Sequence, residues 1–121
     1  MKKLYWMWTD RTTTPEEICK NVGSGWTPII KSLIEDLLKT NWDGGIYQVK
    51  EKLGGLRFYI NATPEQFKLI MAAEAKSFKV CEECGDKGKT KELGGHYYKT
   101  LCERCLKCQE RKSGKGSRRK S

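Results

Sequence analysis

Cys81-Glu-Glu-Cys84-Gly85 and Cys102-Glu-Arg-Cys105 are two Cys-x-x-Cys pairs with 17 residues between them, and their spacing decides how the C-terminal half folds. A two-residue gap lets one tight turn aim two thiolates at a single ion, and two such pairs complete the tetrahedron that Zn²⁺ prefers. Gly85, directly after the second cysteine, suits the sharp backbone of such a knuckle. The spacing therefore predicts a zinc site on Cys81, Cys84, Cys102 and Cys105. Two alternative donors stand nearby: Cys108, which forms a further Cys-x-x-Cys with Cys105, and His96, the one histidine of the chain. Disulfides are the competing use of six cysteines. They call for an oxidising compartment, and the apolar run Leu4–Trp8 is shorter than the roughly 7–15 residues of a secretory core. A reducing cytoplasm, and hence a metal, is the expectation.

Thr90–Leu93 and His96–Leu101 flank Gly94-Gly95 and read as two short strands about a tight turn. Leu101-Cys-Glu-Arg-Cys-Leu-Lys-Cys-Gln-Glu-Arg-Lys112 has helical composition, which places the last two ligands in a first helical turn. Knuckle, hairpin and helix in this order resemble the treble-clef zinc finger. Four cysteines leave no coordination position for water or substrate, so the expected zinc is structural.

A chain of 121 residues with a formal charge of +9 is one small α+β domain with a metal-bound appendage. The charge is uneven: residues 106–121 hold seven Lys and Arg against Glu110. Residues 109–121 have the composition of a disordered basic tail, which attracts acidic surfaces without specificity. No apolar run approaches the roughly 20 residues that cross a bilayer, so no membrane partner is expected. The divisions expected are 1–25, a strand and short helix; 26–79, a helix–hairpin–helix core; 80–108, the finger; and 109–121, the tail.

Within the first division, Leu4, Trp6 and Trp8 share one face of a strand and Tyr5 and Met7 the other. Thr14-Pro-Glu-Glu17 caps a short helix, on which Cys19 is a buried small residue rather than a ligand. Thr27-Pro28 opens a second helix by the same cap logic. Its stripe of Ile29, Ile30, Leu33, Ile34, Leu37 and Leu38 is core, and Asn41-Trp-Asp-Gly-Gly45 ends it. Thr63-Pro-Glu-Gln66 caps a third helix with Phe67, Ile70, Met71, Ala75 and Phe78 on its apolar side.

Between the second and third helices, residues 46–60 form a hairpin turning at Leu53-Gly54-Gly55. Strict alternation sends Tyr47, Val49, Leu56, Phe58 and Ile60 inward. The other face then carries Ile46, Gln48, Lys50 and Lys52 beside Arg57, Tyr59 and Asn61. Lys50, Lys52, Arg57 and Tyr59 make a candidate phosphate or nucleic-acid site, because cations meet phosphate and tyrosine stacks on bases. A solvated sheet face with Glu51 nearby is the competing reading.

The strings Gly25-Trp26, Val49-Lys-Glu-Lys-Leu-Gly-Gly-Leu-Arg-Phe-Tyr59, Cys81-Glu-Glu-Cys-Gly85 and Thr100-Leu-Cys102 are similar to those of a family of small proteins encoded by phages and prophages. The resemblance covers residues 25–105. It implies phage origin, a cytoplasmic place in an infected bacterium, and a zinc finger without a defined activity. Family members often carry histidine near the position of Cys105, so the fourth ligand is where this chain departs from the pattern.

Catalysis is not expected: a single histidine leaves no nucleophile with an evident imidazole base, and no phosphate loop, dinucleotide fingerprint or His-Glu-x-x-His string occurs. The leading expectation is a non-enzymatic zinc-stabilised protein that engages nucleic acid through the basic hairpin face and tail. The alternative is a phage inhibitor acting in host takeover or anti-defence. It would bind a host protein through Trp6, Trp8 or Trp42, or hold a nucleotide signal.

Overall fold

The computed structural model describes residues 3–95 and 97–108 of an α+β protein. The basic tail expected over 109–121 lies outside the described residues, as does His96. Helix α2, numbered in chain order (Thr27–Leu38), anchors the larger core. Ile30, Leu33, Ile34 and Leu37 recur at helical spacing and are buried, while Lys31, Ser32 and Glu35 face solvent. The start differs from expectation. A 3₁₀ turn (Ser24–Trp26) runs straight into the helix, so Thr27 is its first residue and Trp26 takes the cap position without a side-chain cap bond. Trp26 is wholly buried, and its indole N–H donates to the Val80 carbonyl at 2.9 Å.

Strands β1 (Leu4–Trp6), β2 (Thr12–Thr13) and β3 (Gly45–Ile46) form a small sheet in the order β2-β1-β3, antiparallel and then parallel. β1 stops short of the apolar run. Met7 to Thr9 turn, Asp10 takes a positive φ of 58°, and Trp8 leaves the face shared by Leu4 and Trp6. Helix α1 (Pro15–Cys19) follows, its N-terminus closed by the Thr14 hydroxyl accepting the Glu17 N–H at 3.2 Å. Cys19 is buried, as expected.

Strands β4 (Gln48–Lys52) and β5 (Gly55–Tyr59) make the hairpin, with Lys52 opposite Gly55. Leu53 and Gly54 form the two-residue loop with φ of 55° and 84°, the sense of turn that matches strand twist. Val49, Leu56 and Phe58 are buried as the alternation requires, but Tyr47 is exposed and Ile46 is wholly buried. The cause is a bulge. Gln48 pairs with Tyr59, yet the Tyr47 N–H also donates to the Tyr59 carbonyl at 2.8 Å, so two residues face one. The extra residue inverts the alternation upstream: Ile46 turns inward beside β1, and Tyr47 turns out.

Helix α3 (Pro64–Ser77) begins with a full capping box between Thr63 and Gln66. Its buried side is Gln66, Ile70, Ala73 and Ser77; Phe67 and Met71 face solvent. The helix packs against α2 and the edge of β5, and polar side chains join it to both sides. The Ser77 hydroxyl accepts the Leu56 N–H at 2.9 Å and donates to the Glu74 carbonyl, while the Gln66 amide donates to Thr40 at 2.8 Å. Apolarity alone therefore selects the wrong stripe. Arg57 of β5 is tied to Glu74 of the same helix at 3.0 Å.

One core cluster runs from Leu4 through Ile18, α2 and the hairpin to Ala73, so residues 1–25 and 26–79 share an interior. The second is small: Cys81, Leu101 and Cys102, with Leu93, Cys105 and Leu106 against them. It belongs to the finger hairpin, β6 (Lys89–Glu92) and β7 (Tyr98–Leu101), and to the helical residues 103–108. The two clusters meet through backbone. A Cβ built on Gly25 would stand 2.0 Å from the Cys81 carbonyl oxygen, and one on Gly55 would stand 2.4 Å from the Phe78 ring. Gly25→Ala should therefore destabilise the protein by about 1–3 kcal/mol or more, the usual cost of overpacking. A lower urea midpoint at unchanged slope would register it; a wild-type midpoint would contradict the contact.

Candidate metal centre

Val80 and Lys87 pair as an isolated antiparallel bridge, and the chain between them folds into a knuckle. The Gly85 N–H donates to the Cys81 carbonyl at 2.9 Å and the Cys81 N–H to the Asp86 carbonyl at 2.7 Å, with Gly85 at φ 86°. This turn brings Cys81 and Cys84 to one side. Across from it, β7 ends at Leu101, Cys102 follows, and Cys105 lies in the first turn of the helical segment. The four sulfurs all lie within 4.8 Å of one another, and Cys84 Sγ and Cys102 Sγ are 3.5 Å apart. Four sulfurs about 2.3 Å from one tetrahedral ion stand about 3.8 Å apart, so this cluster is positioned to hold a metal ion. Cys108 is exposed and is not one of the four, and Cys19 is buried on α1.

Crowded thiols divide their protons unequally. The Cys105 N–H, 3.4 Å from the Cys102 sulfur, is the main cause that lowers the Cys102 thiol to about 7, assisted by its sulfur neighbours. Burial pushes Cys105 up. At Cys84 a backbone bond from Asp86 pulls down, but burial and the neighbouring thiols outweigh it and the net shift is upward. Arg104 reaches Cys84, the main cause that raises its own pKa, and holds Asp86 at 3.2 Å.

A partly buried ion pair braces the knuckle from behind. The Glu82 carboxylate accepts from Lys99 at 2.8 Å and from the Thr100 N–H at 3.1 Å, and the Glu82 N–H donates to the Thr100 carbonyl. Burial lowers the Lys99 pKa, but the hydrogen bond and charge of Glu82 outweigh it and leave it raised. Upstream, the Gly25 N–H donates to the Glu82 carbonyl at 2.8 Å and the Ser24 hydroxyl to the Glu83 carbonyl at 3.1 Å.

The second set of sequence-derived residues lies apart from the cysteines. The register puts Lys50 opposite Arg57 and Gln48 opposite Tyr59, so Lys50, Lys52, Arg57 and Tyr59 share one face. Arg57 is committed to Glu74, which leaves Lys50, Lys52 and Tyr59 for a ligand. Glu51 points away and accepts the Gly54 N–H in the turn, so it does not neutralise that face. Of the tryptophans, Trp42 is buried edge-on to Phe58 and Trp6 packs against the core, whereas Trp8 is 75% exposed. Sequence reasoning missed Tyr47 as Trp8's partner: the Trp8 indole N–H donates to the Tyr47 carbonyl at 2.9 Å. No local signal marks the bulge that turns Tyr47 outward. Among the described residues, no helix is long and apolar enough to cross a membrane.

Metal uptake must displace the protons held by Cys84 and Cys105, so it should acidify a weakly buffered solution at neutral pH and weaken as pH falls. Calorimetry in buffers of different ionisation enthalpy measures the protons released. Uptake without proton release would exclude the four thiols as ligands. Comparison with family models, curated proteins and solved structures produced no match to this chain.

Proposed function

We propose that the chain is a non-enzymatic, zinc-stabilised protein that takes single-stranded nucleic acid on the outer face of β4–β5. The observation that carries the reading is Trp8. A large ring in open solvent is held in place by its bond to Tyr47, beside a cleft of about 390 Å³ lined by Trp6, Thr9, Arg11, Asn21 and Gln48. Tyr59 stands opposite Gln48, and Lys50 and Lys52 continue the same strand face. Arg11, Lys50 and Lys52 make no ion pair among the described residues. Pre-set aromatic faces followed by unpaired cations are what an unstacked base and its phosphates require.

The metal in this reading is Zn²⁺, since four thiolates in a tetrahedral cluster suit that ion and close its coordination shell. Knuckle, hairpin and helical segment follow one another as in a treble clef, and α2, hairpin and α3 act as the scaffold behind it. A cytoplasmic role in an infected bacterium accords with a thiolate metal site.

Trp8 fluorescence should be quenched by oligothymidylate at low salt. Trp8→Ala should weaken binding about tenfold, consistent with a stacking contribution of about 1–3 kcal/mol per base. Lys50→Ala with Lys52→Ala should flatten the plot of log affinity against log salt by about 0.7 per lost phosphate contact. No binding at low salt would end the proposal.

A second reading, a phage inhibitor of a host protein, draws on a different face. Phe67 and Met71, one turn apart on α3, are 55% and 43% exposed and make an apolar anchor pair. Affinity capture from host lysate separates the readings. Nuclease-resistant recovery of one protein, lost in Phe67→Ser, favours inhibition; nuclease-sensitive recovery favours nucleic acid.

A further inference from the structure

A groove of about 620 Å³ runs along the finger between β6, the knuckle and the helical residues 103–108. Its lining includes Lys79, Lys87, Lys89 and Lys91, with Leu101 and Leu106 as apolar wall. None of the four lysines makes an ion pair among the described residues. The reason lies in where the neighbouring acids are committed. Glu82 and Glu83 both face Lys99, at 2.8 and 3.8 Å, and Asp86 faces Arg104. These three knuckle carboxylates therefore serve the β7 and helix side, and Glu103 is the one carboxylate among the described residues that line the groove.

We infer that this groove binds the phosphate chain of a nucleic acid or another polyphosphate, separately from the base-stacking face. The chemistry favours phosphate. Four ammonium groups are compact point charges with three donors each and no guanidinium fork to match a carboxylate. Leu106, backed by the buried Leu101, gives an apolar surface on which a sugar can rest, while the lysine stems cover its edge and keep their charges in water. Lys89 and Lys91, two residues apart on β6, send their side chains to the same face of the strand. The groove borders the cysteine cluster, since Cys102 is part of its lining.

The test uses the full chain loaded with zinc and three fluorescent or competing probes: an abasic oligodeoxynucleotide, inorganic polyphosphate and polyglutamate. Wild type should bind the abasic strand at low salt. K87Q/K89Q/K91Q should bind it at least tenfold more weakly, with a salt slope lower by about 2, from about 0.7 per phosphate contact. Zinc content and melting temperature of the triple variant should stay unchanged. The abasic strand has no base to stack on Trp8, so a failure of base stacking would not be mistaken for a failure of the groove. Competition by polyphosphate without abasic-strand binding would support the same chemistry with a free polyphosphate as occupant. Three results would overturn the inference. They are no binding of either phosphate probe, equal binding by the triple variant, and polyglutamate binding as tightly as phosphate. Loss of zinc from the triple variant would do so as well, since the lysines would then be balancing the thiolate cluster.

Discussion

Residues 23–25 lie against residues 81–85 so closely that no side-chain carbon fits between the two backbones. The rest of the structure depends on that contact. The upstream segment donates three hydrogen bonds across it: from the Gly25 N–H, the Ser24 hydroxyl and the Trp26 indole, to the carbonyls of Glu82, Glu83 and Val80. Trp26 is rooted in the α2 core, and the receiving carbonyls belong to the turn that carries Cys81 and Cys84. A second contact lies on the other side of the finger, where the Thr100 hydroxyl donates to the Gly54 carbonyl and Phe78 covers Gly55. A knuckle that came away would therefore release donors on the core, and each buried group left unpaired costs about 1–3 kcal/mol.

The same contacts shape the outer surface. Acidic groups are drawn inward or sideways to hold the frame: Glu74 for Arg57, Glu82 and Glu83 for Lys99, Asp86 for Arg104, Glu51 for the hairpin turn. Next to them stand cations without an ion pair among the described residues: Lys50 and Lys52 on one face and four lysines along the finger groove. The positive character of these two surfaces thus follows from how the nearby carboxylates are used, as well as from composition.

Local chemistry was legible wherever one residue settles one backbone group. The Thr14 cap, the Thr63–Gln66 capping box, the α2 stripe and the paired cysteines could each be read from a few adjacent positions. What escaped the sequence depends on distant partners. The bulge at Tyr47–Gln48 follows from β3 having to meet β1, a parallel pairing across nearly forty residues that no periodicity announces. Ser77 is inside because β5 presents an edge there and Gln66 because it meets Thr40 beyond the end of α2, while Phe67 and Met71 are left outside. The four sulfurs were legible from spacing; the lysine groove was not, because its unpaired state depends on ion pairs made elsewhere.

The docking of residues 23–26 on the knuckle also bears on the order in which the chain folds. Ser24 and its acceptor Glu83 are 59 residues apart, so the surface that receives the knuckle exists only after a long loop has closed. A nascent finger could gather its ion from local sequence alone, yet it would stand undocked until α2 and the hairpin had assembled. With a metal on the four cysteines, capture and docking would be separable events in time, the first local, the second set by the slower search for non-local partners. Two kinetic phases on refolding, only one of them sensitive to metal concentration, are the natural consequence of a local site seated on a non-local foundation.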